Sequence, residues 1–237
     1  MMRFSLSDLL EGLRGTLVVS CQAEPGSPLA DPTHISAIAA AVVAGGACAI
    51  RTEGLANISA VRAQVRVPII GLIKTQRADT DIYITPAIED VNEIAAAGAD
   101  IIAFDATARP RPVNVAALIQ AIHRQGRLAM ADISTVEEAR SALAVGADVV
   151  STTMAGYTSY SQNHAGPDFA LMHALKRAGI PFVAEGRVWT VDEALKCFDL
   201  GASFIVVGSA ITRPTMITQR FAEGIAGRHD AVAWRKA

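Results

Sequence analysis

The chain has 237 residues, 51% of them hydrophobic and 19% charged, with a net charge of −2. That composition excludes a disordered chain and suits a sheet buried on both faces. No basic tract is present and no apolar run reaches ~18 residues, so neither nucleic acid nor a membrane is an expected partner.

Residues 5–13 read as an amphipathic helix that includes Asp8 and Glu11. The N-terminus lacks the basic start, long apolar middle and small-residue cleavage site of a secretory signal, so a cytoplasmic protein is expected. Eight short apolar runs follow: 16–22 (TLVVSCQ), 49–51 (AIR), 67–74 (VPIIGLIK), 101–105 (IIAFD), 127–134 (RLAMADIS), 149–153 (VVSTT), 180–187 (IPFVAEGR) and 204–208 (FIVVG). Helical segments separate them. Four of these strands follow similar junctions, at Gly46, Gly98, Gly146 and Gly201, spaced by 52, 48 and 55 residues. Glycine just past a helix end takes the left-handed conformation that caps it, and each interval has room for two βα units.

Eight strands alternating with helices, without a break in composition, predict one domain over residues 1–237, an all-parallel closed (β/α)8 barrel. The opening helix would cap its N-terminal mouth. A doubly wound open sheet is the alternative, but its glycine fingerprint is missing after the first strand, where the chain reads Cys21-Gln22-Ala23-Glu24-Pro25-Gly26. The cysteines Cys21, Cys48 and Cys197 are odd in number and far apart, which predicts reduced thiols and no metal site. A last helix at about 215–226 and the tail bring Phe221 and Trp234, which dock either on a partner subunit or on the barrel itself.

In a closed barrel the chemistry gathers at the C-terminal ends of the strands. Those ends hold Gln22, Arg51 with Glu53, Lys74, Asp105 with Thr107, Asp132 with Ser134, Thr152 with Thr153, Glu185 with Arg187, and Ser209. They form either a wet polar rim or one site, and so many charges at strand ends favour a site. Lys74 stands out, because the chain has 17 Arg and only four Lys and the other three lie on helices or in the tail. Desolvated there, it could act as a base or attack a carbonyl as a Schiff-base nucleophile; the structural alternative is a salt bridge to a carboxylate such as Asp132. Glu185 is expected across the barrel mouth from Lys74, an arrangement suited to removing a proton from one face of a carbon and returning it to the other.

The run 203–214 (SFIVVGSAITRP) breaks at Gly208-Ser209 into a helix start, and the preceding strand ends alike in Glu185-Gly186-Arg187. Backbone N–H groups at such breaks, aided by the helix dipole, seat a phosphate; otherwise these are ordinary βα turns. Arg51, Arg213 and Arg187 are expected to add positive charge near it, although Arg187 equally reads as a surface side chain. Gln22 can read an amide or a hydroxyl.

Together these residues resemble the N-acetylmannosamine-6-phosphate 2-epimerase family of bacterial sialic-acid breakdown. The matching segments are 19–23 (VSCQA), Ile50-Arg51 with Gly54 and Asn57-Ile58, 68–74 (PIIGLIK), 83–86 (YITP) and 105–107 (DAT). They continue with 130–135 (MADIST), 156–158 (GYT), 184–187 (AEGR) and 207–214 (VGSAITRP). They run in consistent order over about residues 16–221. The resemblance implies a TIM barrel of the ribulose-phosphate-binding kind that interconverts N-acetylmannosamine 6-phosphate and N-acetylglucosamine 6-phosphate without a cofactor. It implies a phosphorylated N-acetyl amino sugar and a second copy, in a homodimer, as partners.

Carried over by motif, Lys74 takes the C2 proton and Glu185 is the second essential group, which either returns a proton to C2 or helps open the sugar ring. Gln22, Arg51, Asp132, Thr153 and Arg213 would line the substrate, with Gly186, Arg187, Gly208 and Ser209 on its phosphate. The chain departs from the family at Glu53, where a small residue or Asn is more usual. A Schiff-base aldolase using Lys74 and a non-catalytic sugar-phosphate sensor are the competing readings.

Overall fold

Each apolar run forms a strand in the computed structural model, which describes residues 6–24, 26–78 and 80–233. The strands are β1 (Leu17–Cys21), β2 (Ala49–Glu53), β3 (Ile69–Leu72), β4 (Ile101–Asp105), β5 (Leu128–Asp132), β6 (Val149–Ser151), β7 (Phe182–Glu185) and β8 (Ala202–Val207). All neighbours pair in parallel and β1 pairs with both β2 and β8, so the sheet closes and the open-sheet alternative is excluded. The helices are α1 (Leu6–Gly12), α2 (Pro32–Ala44), α3 (Leu55–Gln64), α4 (Ile88–Ala97), α5 (Val115–Arg124), α6 (Val136–Ala144), α7 (Phe169–Arg177), α8 (Val191–Asp199), α9 (Ser209–Thr212) and α10 (Pro214–Ala233).

Every residue of β4 and β5 is buried, as expected for strands with the barrel core on one face and helices on the other. Val18, Ile70, Ile101, Met130, Phe204 and Val206 belong to the core inside the barrel. Leu9, Leu10 and Leu13 pack against that core, so α1 caps the end opposite the strand C-termini. A second apolar layer lies between the sheet and its helices. The junction glycines Gly46, Gly98, Gly146 and Gly201 all have positive φ, from 96° to 107°, which is why each helix can turn straight into the next strand. Helix starts are local too. Thr135 with Glu138 caps α6, and Thr190 with Glu193 caps α8, each as a reciprocal capping box.

Three boundaries differ from expectation. β3 stops at Leu72, and Lys74 sits beyond it, held by an antiparallel bridge to Ile84 with Thr75 N donating to Tyr83 O at 2.9 Å. β6 ends at Ser151, and Thr152–Met154 coil into a 3-10 turn. Helix α10 is longer than the expected 215–226. From Thr218 to Gly227 every residue is exposed, Phe221 at 68% and Ile225 at 59%. Trp234 lies outside the described residues. Among the described residues no helix is long and apolar enough to cross a membrane.

Candidate active site

A cavity of about 330 Å³ opens at the C-terminal mouth of the barrel. Its lining includes Gln22, Arg51, Lys74, Thr153, Glu185, Gly186, Arg187, Gly208, Ser209 and Arg213, nearly the whole set expected from the sequence. Asp132 is fully buried and does not reach the wall; it lies beneath Arg51.

The floor is a charged cluster. Arg51, 1% exposed, reaches across the barrel from β2 and donates Nη2 to Asp132 Oδ2 at 2.6 Å and Nη1 to Asp132 Oδ1 at 3.3 Å. The same Nη1 lies 3.1 Å from Glu185 Oε2. Arg51 thus balances two carboxyl groups at the centre of the barrel instead of adding free positive charge near the loops expected to hold phosphate. Burial disfavours its charge, but the two acids outweigh that and keep it protonated. Burial likewise pushes both acids up, Glu185 to about 7, with the Asp132 charge adding to the rise and Arg51 opposing it. Arg51 holds Asp132 through both terminal nitrogens and Glu185 through Nη1 alone, so the guanidinium favours the Asp132 anion more than the Glu185 anion.

This bears on stability. An unfolded Glu titrates near 4.3, so between there and about 7 the folded state holds the extra proton at Glu185. The stability tied to that proton is complete below the unfolded value and is lost as pH rises through about 7. Glu185→Gln copies the neutral carboxyl. Relative to wild type it is expected to gain about 2 kcal/mol between pH 5 and pH 8 in urea unfolding. Parallel pH dependences for the two proteins would mean that Glu185 is ionised throughout.

Lys74 Nζ donates to Gln22 Oε1 at 2.6 Å, and Gln22 Nε2 donates to Ser20 Oγ at 3.0 Å. The alternative of a salt bridge to Asp132 is not realised: Arg51 already occupies Asp132, and the hydrogen-bond partner of Lys74 is neutral. The Lys74 pKa is lowered, first by burial in the mouth and then by Arg51 and Arg213, against the opposing charges of Glu53 and Glu185. The Lys74 side chain is still exposed to solvent, so a ligand that shields it would lower the pKa further. Glu53, the departure from the family pattern, stands outside the cavity lining and acts on Lys74 only through its charge.

The two loops expected to hold phosphate adjoin one another. Gly186 and Arg187 both have positive φ, 115° and 56°. A non-glycine residue there costs about 1–2 kcal/mol. The Arg187 side chain offsets that cost, donating Nε to Gly166 O at 3.0 Å and Nη2 to Ala155 O at 2.9 Å, with its guanidinium 5.5 Å from the Tyr157 ring centre. Arg187 is neither a surface side chain nor a free cation. In the other loop Gly208 packs against β1: a Cβ on it would stand 3.2 Å from Ser20 Cβ. The helix expected after Gly208 is the single turn α9, fixed by Thr212 Oγ1 donating to Ser20 O at 2.8 Å. Arg213 follows, with Nε donating to Gln22 O at 3.3 Å and Nη1 3.7 Å from Glu24 Oε1.

Some strand-end residues do not join the cavity. Asp105 is fully buried and gripped by Arg109, Arg111 and the Thr107 hydroxyl, which closes the loop after β4. Thr107, Arg109 and Arg111 face a separate cavity with Glu138 and Tyr160. Ser134 donates to Glu138 Oε2 at 2.9 Å. Conversely, Ser20, Tyr83, Tyr157 and Trp189 line the main cavity without having been singled out. Tyr83 follows from the bridge that places it beside Lys74, a pairing with no local signature. Its phenol is pushed up to about 12 by burial and the nearby Asp132 and Asp105 charges, so it stays neutral. Among the described residues no cluster of three or more His, Cys, Asp or Glu is arranged to hold a metal ion.

Comparison with known proteins places this geometry. The family model described as "Putative N-acetylmannosamine-6-phosphate epimerase" (NanE) matches residues 35–227. The chain belongs to this family. A curated relative from Klebsiella pneumoniae is 51% identical over 199 residues, covering 84% of this chain and 85% of its own length. One from Clostridium perfringens (strain SM101) is 46% identical over 218 residues, covering 91% and 99%. Both carry the name "Putative N-acetylmannosamine-6-phosphate 2-epimerase". The solved structure of the C. perfringens N-acetylmannosamine-6-phosphate 2-epimerase is similar at TM-score 0.88 and 45% identity, covering 91% of this chain and 95% of the other. The NanE family and the eight-stranded barrel expected from the residues are thus both found.

Proposed function

We propose that the protein is an N-acylglucosamine-6-phosphate 2-epimerase that interconverts N-acetylmannosamine 6-phosphate and N-acetylglucosamine 6-phosphate. The observation that carries the reading is one cavity holding a lysine of lowered pKa and a carboxyl raised to about 7, in a chain of the NanE family. In the open-chain sugar the C2 proton is α to the C1 carbonyl. Lys74, as the free amine, takes it; the C2–H electron pair moves toward the carbonyl oxygen and gives an enolate. A proton returned to the opposite face of C2 inverts the centre, and Glu185 in its neutral form is the acid of the pair. Backbone N–H groups of Gly186, Arg187, Gly208 and Ser209 hold the phosphate and Arg213 balances its charge. Binding energy from that remote group fixes the reacting end.

The deciding experiment is proton NMR of N-acetylmannosamine 6-phosphate with the protein in D₂O. Deuterium at C2 together with the glucosamine epimer is the expected result, and appearance of neither would refute the reading.

The same reading has the protein working in the cytoplasm, as a homodimer. The wholly exposed stretch of α10 supports the latter, since its apolar side chains have a natural place against a second copy. Phe221→Glu is expected to halve the mass seen by sedimentation equilibrium; a wild-type mass of 24.8 kDa would exclude the dimer outright.

A further inference from the structure

Thr153 sits in the 3-10 turn after β6, at the edge of the cavity. Its Oγ1 lies 2.8 Å from Asp132 Oδ1, 3.0 Å from Glu185 Oε2 and 2.8 Å from Ser151 Oγ. A hydroxyl has one proton to give and two lone pairs to receive with. It cannot donate to both carboxylates at once. With one acid ionised against Arg51, all three contacts are satisfied only if Ser151 donates to Thr153, Thr153 donates to that acid, and the other acid carries a proton and donates back. Asp132 is the acid that accepts, because Arg51 holds it through both terminal nitrogens, at 2.6 and 3.3 Å, and reaches Glu185 through Nη1 alone, at 3.1 Å. The proton then belongs to Glu185.

We propose that Thr153 is a positioning residue: its hydroxyl donates to Asp132 and accepts from the Glu185 carboxyl, so of the two acids it is Glu185 that keeps the proton the reaction draws on. This replaces direct substrate contact as the role of Thr153, and it rests on the epimerase reading for its catalytic consequence. The charged groups facing Glu185 are Arg51 from β2, Lys74 from the segment after β3 and Asp132 from β5. Of the contacts to Glu185, the Thr153 hydroxyl is one that can hold the neutral form by accepting its proton.

The test compares Thr153→Val, which keeps the shape and removes the hydroxyl, with Thr153→Ser, which restores it. Two readouts are used: the pH profile of C2 deuterium exchange, and 13C NMR titration of Glu carboxyls in the free protein, with the Glu185 signal assigned by its loss in Glu185→Gln. In Thr153→Val, kcat is expected to fall about 10-fold or more while KM stays within about 2-fold. The alkaline limb and the Glu185 titration should both move down by roughly half a unit or more. Thr153→Ser should recover both. A raised KM at unchanged kcat, an unmoved titration, or a serine variant no better than valine would overturn the proposal. Thr153→Ala, read the same way, decides if the valine variant does not fold. Wild-type protein that fails to exchange C2 would sink the epimerase reading, while the carboxyl titration would still decide the role of Thr153.

Discussion

Lys74→Ala is expected to abolish both epimerisation and C2 deuterium exchange, with kcat down by about 10³-fold or more and the fold intact. A positioned base contributes typically 10²–10⁴-fold, and the described residues that line the cavity include no second lysine to take its place. The fold should tolerate the change. Lys74 lies beyond the end of β3, and loss of its hydrogen bond to Gln22 leaves an amide that the open cavity can hydrate. Glu185→Ala should be equally inactive in epimerisation, for a different reason. It removes the acid proposed to return a proton to C2. A folded variant of either kind, shown by an unchanged circular dichroism spectrum, that keeps full epimerisation would remove that residue from the mechanism. The two variants also separate the steps: Glu185→Ala that still washes deuterium into C2 of the starting epimer, without inversion, would make Glu185 the returning acid.

The second large effect is on stability. Arg51→Leu leaves Asp132 and Glu185 together at the centre of the barrel without their shared cation. Breaking a buried ion pair from one side costs about 3–5 kcal/mol, which for a chain of this size is a fall of roughly 10 °C in Tm. The loss should depend on pH. Near pH 5 protonation of the acids relieves part of the repulsion; near pH 8 it does not, so the gap from wild type should widen as pH rises. A variant as stable as wild type at pH 8 would show that the acids are neutral without Arg51.

The barrel was legible because its signals are local. Apolar strands buried on both faces and a positive-φ glycine closing every second helix can both be read within a dozen residues. The cavity was legible because closure brings every strand end to one mouth, whatever the register. What escaped the sequence depends on pairings across the barrel. Arg51 was expected beside the phosphate loops, but the register that sets Arg51 level with Ser20 and Ile70 aims it inward at Asp132. Asp105 looked like a site residue; the arginines that claim it, Arg109 and Arg111, lie only four and six positions on and could have been noticed. Thr153 showed itself as a polar strand end, while its place between two acids emerges only from the turn that follows β6.

The seam between β1 and β8 has a consequence for how the protein comes into being. Gly208 packs on Ser20, Thr212 bonds to the Ser20 carbonyl and Arg213 to that of Gln22, contacts that join the two ends of the chain. Gln22 is also the partner of Lys74. The first barrel strand thus waits for the last before Lys74 and the loops after β7 and β8 can share a cavity. During synthesis β1 stays an open edge, the kind of surface that invites mispairing, until β8 and the turn after it have left the ribosome. Activity should appear in a single late step, at barrel closure, and a chain cut before β8 should have neither the site nor a sealed sheet.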